Sequence, residues 1–271
     1  MTKVDDIIHT TLRIPYWIKG TIMRKGSRPY ATVLFIHGIG NSAQAWREVV
    51  DQLPGGVKCV MVDLIGFGRS PRPQADAYDV ATQARAVKLL CARHGIRGNV
   101  LIVGHSMGSL VAIELARRYP RFAHSLILCS PPLYQPSVKG VQLPTSDAVL
   151  RSLYRAARKS PEQFVRLSAV AMKYGLVNRA FNVTDENVAS YMSALEAAII
   201  NQTSLDDIKT LHVPIRIIRG SLDPVLVSSR IKRLAKDQPN IAVLTILAGH
   251  EVRGRFAKKV VEEIVATLQQ Q

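Results

Sequence analysis

The stretch NVLIVGHSMGSLVAIEL, residues 99–115, decides how the rest of this chain is read. Its apolar, partly β-branched run Val100–Val103 stops at Gly104. His105, Ser106, Met107 and Gly108 follow, and a helix-forming apolar run begins at once. The pattern is strand, sharp turn, helix, with G-x-S-x-G at the turn. A turn this tight strains the backbone of the serine, and a side chain two residues to either side would collide with the neighbouring strand or helix. The serine hydroxyl is then held at the top of a sheet and at the N-terminus of a helix. Free N–H groups and the helix dipole there favour developing negative charge.

Outward from this stretch the chain alternates strands and helices. Residues 10–24 read as an opening pair of strands, and YATVLFI (30–36) as a nearly continuous apolar run suited to a parallel sheet covered on both faces. A turn at His37-Gly38-Ile39-Gly40 leads into a helix whose apolar stripe is Trp46, Val49, Val50 and Leu53. VKCVMVDL (57–64), HSLILCS (124–130), VPIRIIRGS (213–221) and IAVLTIL (241–247) read as further strands, with helices over 80–94, 226–236 and 255–270. On the last helix Phe256, Val260, Ile264 and Leu268 recur every fourth residue.

The fold class expected is α/β: a mostly parallel central sheet of about eight strands, helices on both faces, and an inserted all-helical cap. The rhythm changes between Pro132 and His212, where no strand pattern occurs and helices are expected near 146–159, 161–174 and 185–201. Thr184 followed by Asp185 and Glu186 reads as the N-cap of the third. The domains expected are therefore a core of 1–131 with 213–271, and a helical cap of 132–212. An excursion that long, against ordinary connections of a few residues, is usually functional.

Composition narrows the class. A chain of 271 residues with 47% hydrophobic and 21% charged residues is a packed globular protein. No run approaches the ~18 apolar residues of a membrane span. The opening MTKVDDIIHTTLRIPYW has two acids and no apolar core, so a secretory signal is not expected. Cys59, Cys91 and Cys129 are scattered, without metal-ligand spacing, and read as buried thiols in a reducing, cytoplasmic compartment. The formal charge is +16. Residues 1–131 carry 17 Lys/Arg against 8 Asp/Glu, 132–212 carry 9 against 7, and 213–271 carry 10 against 5. The excess is spread over the flanking segments with no basic block or tail, so a solvated basic surface is expected and no nucleic-acid partner.

At four separated places the chain resembles an α/β-hydrolase-fold protein with a helical cap. These are FIHGIG (35–40), DLIGFGRS (63–70), GHSMGS (104–109), and the pair GSLDP (220–224) with AGHEV (248–252). The order Ser, Asp, His is the order of that fold. The resemblance implies Ser106 as nucleophile, His250 as the base that takes its proton, and Asp223 as the carboxylate that fixes the histidine tautomer and stabilises the imidazolium. Asp206 and Asp207 are weaker candidates for the acid. The resemblance puts the oxyanion-hole N–H donors at Ile39 and Met107. It makes His37 a backbone-supporting histidine and leaves Asp63 and the Gly66-Phe67-Gly68 turn structural. His105 is expected to point away from the serine.

The function expected is hydrolysis of a small-molecule carboxylic ester, thioester or related acyl bond through an acyl-enzyme. Neither metal nor organic cofactor is implied. Serine at the apex argues against the dehalogenases and epoxide hydrolases that resemble this family but carry aspartate there. Carbon–carbon bond hydrolases use the same triad but commonly show an aromatic residue just after the histidine, where this chain has Glu251 and Val252. A ligand receptor or acyltransferase of the same fold is the alternative from a different class. The cap, with apolar residues such as Tyr134, Leu150, Tyr154, Leu167, Tyr174 and Tyr191, is expected to roof a largely apolar acyl pocket with no demand for an anionic substrate.

Overall fold

A computed structural model of the chain describes residues 8–9, 12, 14–26, 29–73, 78–134, 158–174 and 183–270. Seven strands form one sheet in the order β1-β3-β2-β4-β5-β6-β7. They are β1 (Gly20–Lys25), β2 (Ala31–Ile36), β3 (Val57–Val62), β4 (Val100–His105), β5 (Ala123–Cys129), β6 (Ile215–Gly220) and β7 (Ile241–Ile246). Only β1 runs antiparallel, against β3; every other neighbouring pair is parallel. The opening pair of strands expected over 10–24 is a single strand, β1, which accounts for seven strands instead of about eight. Pro15 has no N–H to give a ladder, and the Ile18 N–H bonds back to the Tyr16 carbonyl at 3.2 Å, so residues 14–18 form no strand ahead of β1. Residues 10, 11 and 13 of that expectation lie outside the described residues.

A short 3₁₀ turn, Ala43–Trp46, leads into α1 (Arg47–Gln52); α2 is Val80–Arg93 and α3 is Met107–Arg118. Between β5 and β6 come α4 (Pro161–Lys173), α5 (Val188–Ala194), a π-helical turn (Leu195–Ile200) and α6 (Ser204–Asp207). The chain closes with α7 (Ser228–Asp237) and α8 (Arg255–Leu268). Alternation along β2 and β4 serves two cores. Leu34, Ile36 and Ile102 pack with Val87 of α2 and Leu110 and Ile113 of α3. Val33, Phe35, Leu101 and Val103 pack with Trp46 and with Phe256, Val260 and Ile264 of α8. Burial on both faces is why these strands read as continuous apolar runs.

Between β5 and β6 the described residues hold helices and no strand. Pro161 at the first helical position starts α4 as expected. The helix expected over 185–201 starts later and is not uniform. The Asn187 side chain accepts from the Thr184 N–H at 2.9 Å, so 184–187 form a turn, and the α-helix beginning at Val188 widens into the π-turn at Leu195. The helix expected over 146–159 lies outside the described residues except at its last two positions.

Candidate active site

Because the strands from β2 onward run parallel, their C-terminal ends open on one edge of the sheet, where loops after several strands converge. Ser106 stands between β4 and α3 with φ 51° and ψ −122°, a backbone conformation that costs about 1–3 kcal/mol and persists only where the surroundings enforce it. They do so through the flanking glycines. A Cβ on Gly104 would meet the Gly108 carbonyl carbon at 2.7 Å and the Ser109 Cα at 2.7 Å. A Cβ on Gly108 would run into the Ile36 and His37 carbonyls of the β2 end. The Ser106 N–H is anchored to the Cys129 carbonyl at 2.9 Å, and the Ser109 hydroxyl to the Gly104 carbonyl at 2.9 Å.

After β6 and β7 come Asp223 and His250, joined by a 2.8 Å contact between Asp223 Oδ2 and His250 Nδ1. A carboxylate oxygen accepts, so Nδ1 carries the proton and Nε2 is left unprotonated in the neutral ring. The Asp223 side chain is fully buried, whereas the His250 ring keeps 20% of its surface open. Asp223 Oδ1 accepts the Val225 N–H at 2.9 Å. Burial pushes the Asp223 carboxyl up, but the hydrogen bond and charge of His250, with Ser130 and the Val225 N–H, outweigh it and hold the pKa below the ordinary 3.8. The buried Ser130 hydroxyl helps from beside the carboxylate without meeting strict hydrogen-bond geometry. Burial likewise lowers His250, and the Asp223 hydrogen bond and charge, followed by the Glu251 charge, more than reverse it, so its pKa lies above the ordinary 6.5.

Two further histidines hold this edge in shape. His37 Nε2 accepts the Leu64 N–H at 3.0 Å, and its Nδ1–H donates to the Gly38 carbonyl at 2.7 Å. Burial drops its pKa to about 4, so a neutral ring ties the loop after β2 to the end of β3. His105 braces the loop after β7: its Nε2–H donates to the His250 carbonyl at 3.0 Å, and the two rings lie 5.0 Å apart. The reason is local. His105 is the last residue of β4, and its ring turns to the β7 loop, which carries a carbonyl in need of a donor. Asp63 accepts the Ala43 N–H at 2.7 Å and the Arg69 N–H at 3.3 Å, and a Cβ on Gly68 would strike its carboxylate.

Ser106, His250, Ile39, Asn41, Tyr191 and Glu251 line one cavity of about 150 Å³. Met107 is the first residue of α3, so its N–H has no acceptor within the helix, and the Ile39 N–H takes no part in the turn bond from Asn41 to Gly38. Asp206 and Asp207 are turned elsewhere: Asp206 pairs with Lys209 at 2.7 Å, and Asp207 accepts from Thr203 at 2.7 Å. Of the apolar residues between β5 and β6, Tyr191 reaches the cavity, joined there by Leu195 and Ile199 of the π-turn. Tyr134 is buried, with its hydroxyl on the Val225 carbonyl, while Leu167 and Tyr174 are exposed. Leu150 and Tyr154 lie outside the described residues. Asn41, Ser130 and the π-turn are site features without a role in the sequence reading, and His105 gains a contact there that this reading did not foresee. None carries a spacing signal; each is brought in by the ends of different strands. A larger groove of about 640 Å³ along α7, lined by Lys209, Arg230 and Arg233 among others, holds neither Ser106, Asp223 nor His250.

A family model described as the alpha/beta hydrolase fold matches residues 31–171. Probable lysophospholipase BODYGUARD 2 of Arabidopsis thaliana is 30% identical over 161 residues, 57% of this chain and 33% of that protein, so the chain spans a third of its length. Among solved structures, a thermophilic esterase from Thermogutta terrifontis with malate bound is similar at a TM-score of 0.74 and 20% identity, over 93% of each chain. A mutant epoxide hydrolase from Bacillus megaterium, complexed with its product, is similar at 0.69 and 18% identity, over 94% of this chain and 99% of that one. At these identities the likeness is one of fold.

Proposed function

Since the chain belongs to the alpha/beta hydrolase fold family, we propose that it is a serine hydrolase that cleaves a small carboxylic ester, thioester or related acyl bond. The observation that carries this reading is the Asp223–His250 pair, 2.8 Å apart, opening on the same cavity as a strained, glycine-flanked Ser106. In the reaction, Ser106 Oγ attacks the carbonyl carbon as His250 Nε2 takes its proton. The oxygen of the tetrahedral intermediate takes up the negative charge and is held by the backbone N–H groups of Ile39 and Met107. Collapse breaks the acyl bond, and His250 returns the proton to the departing alcohol or thiol. Water then adds to the acyl-enzyme, giving its proton to His250, and the acid leaves as Ser106 recovers its hydrogen.

The cap in this reading is 132–212, with Tyr191, Leu195 and Ile199 as its contribution to a small, largely apolar acyl pocket. No cofactor is needed for these steps. A hydroxyl at residue 106 suits acyl transfer; opening an epoxide by ester formation on the protein requires a carboxylate nucleophile there, which sets this chain apart from that neighbour.

The test is covalent labelling by a fluorophosphonate together with turnover of short-chain aryl esters. Wild type is expected to be labelled at Ser106, and Ser106→Ala and His250→Ala to lose ester turnover by at least about 10³-fold. Wild type that resists labelling, or Ser106→Ala that labels equally, would sink the reading. Labelled protein that moves the acyl group to an added alcohol in preference to water would make it an acyltransferase.

A further inference from the structure

The cavity at Ser106 is not wholly apolar, and two of the polar side chains that line it, Glu251 and Asn41, carry acceptors that no donor among the described residues meets. Glu251 lines it directly after His250, and its charge reaches His250, His105 and Tyr191. Among the described residues no ion pair or hydrogen bond takes up the Glu251 carboxylate, although the chain carries a formal charge of +16. Asn41, on the loop after β2, is 3% exposed and lines the same cavity, and its buried Oδ1 has no hydrogen-bond partner. A buried acceptor without a donor is costly unless something arrives to meet it, and the half-buried Glu251 carboxylate beside it adds a negative charge that no cation offsets. The cavity offers about 150 Å³, room for about five heavy atoms at the ~30 Å³ a water takes in the liquid.

We propose that Glu251, with Asn41, makes this site select a short acyl group carrying a protonated amine, and reject one carrying a carboxylate. The ammonium supplies three donors and one positive charge to a wall that presents acceptors and one negative charge. The apolar side chains of Ile39, Leu195 and Ile199 take the methylenes between the ammonium and the scissile carbonyl. This rests on the reading of Ser106 and His250 as hydrolytic, but the wall would favour the same cation whether or not the serine reacts.

Phenyl esters of β-alanine, butyric acid and malonic acid (half-ester) match closely in size and differ in charge. Above the pH where His250 is neutral and below that where the amine loses its proton, wild type is expected to show kcat/KM for the β-alanyl ester about tenfold or more above the butyryl ester, the ratio one charge-assisted hydrogen bond supplies. The half-malonyl ester should be slowest. In Glu251→Gln the β-alanyl to butyryl ratio should fall toward one. Equal rates in wild type, or a ratio unchanged in Glu251→Gln, overturn the proposal while leaving a Ser106-dependent hydrolase standing. Binding of n-butylammonium against 1-butanol, followed by titration calorimetry, needs no turnover. Preferential binding of the cation that is lost in Glu251→Gln supports the proposal even where no ester is cleaved, and equal weakness of both probes overturns it.

Discussion

At the scale of single residues the site is a problem in proton placement. The Asp223 carboxylate lies below its ordinary pKa of 3.8 and the His250 imidazole above its ordinary 6.5, each because of the other. Linkage then acts with opposite sign on the two groups. The stabilisation from His250 is complete below 6.5 and is lost as pH rises through its higher folded value. That from Asp223 is complete above 3.8 and is lost as pH falls through its lower folded value. The ion pair is therefore fullest between those limits, where His250 is protonated and unable to act as a base. Activity should rise with pH along a limb whose midpoint lies above 6.5, measured as kcat/KM on an aryl ester. Asp223→Asn removes the hydrogen bond to an anion and the charge that raise His250, so the midpoint should move to lower pH, and kcat should fall by about 10⁴-fold as the tautomer is lost. A midpoint that stays in place would show that Asp223 does not control the base. His105 is a positioning residue in this scheme, since its Nε2–H holds the His250 carbonyl. His105→Leu should lower kcat more than it raises KM while keeping the Ser106 label; a change confined to KM would assign it to binding instead.

Elements explain why these residues meet. Turning at Ser106 requires α3 to start within touching distance of β2, and Gly108 is where the two backbones come closest. Gly108→Ala puts a methyl into the Ile36 and His37 carbonyls, which neither strand nor helix can yield without shifting the oxyanion loop. A loss of about 3 kcal/mol or more is expected from overpacking at such a contact, read as a fall in thermal midpoint, with activity lost beyond what stability explains. Gly249, whose added Cβ would meet nothing within 4 Å, is the control: Gly249→Ala should leave the thermal midpoint nearly in place. The same elements show what was legible in sequence. Tight turns announce themselves, because Gly104 and Gly108 are there to avoid collisions set by the turn itself. Asp223 and His250 follow apolar runs that read as strands. The π-turn Leu195–Ile200 was not legible, since the sequence LEAAII suits an ordinary helix. The His105 contact was not legible for a related reason: its partner is a backbone carbonyl on a loop 145 residues away, which leaves no mark on neighbouring residue types.

At the scale of the whole molecule the described residues build one sheet with an apolar core on each face, and this was the most legible level, because burial on both sides writes itself as apolar runs at β2, β3, β4 and β5. The stretch before β1 was less so, since Pro15 and a local bond at Ile18, not polarity, keep residues 14–18 out of the sheet. Among the described residues no helix is long and apolar enough to cross a membrane, and the three cysteines are free and buried. The surface carries charge together with exposed apolar side chains, Trp17, Leu167 and Tyr174 among them. The basic residues of α7 and of the end of α3 lie on helices at separate places, and several are already engaged: Arg117 and Arg118 both bind Glu114, and Arg233 lies 3.8 Å from Asp237. The groove along α7 gathers Lys209, Arg230 and Arg233, but Lys209 pairs with Asp206 and Arg233 with Asp237, so attraction to polyanions is expected from the summed field. We expect duplex DNA to bind weakly and without sequence preference, with affinity falling steeply as salt rises and negligible near 0.15 M, where the Debye length is about 8 Å. Fluorescence anisotropy over a salt series on two unrelated duplexes measures this. Saturable binding that persists at 0.15 M and separates the duplexes would require an organised basic surface, and would contradict an excess spread over the chain.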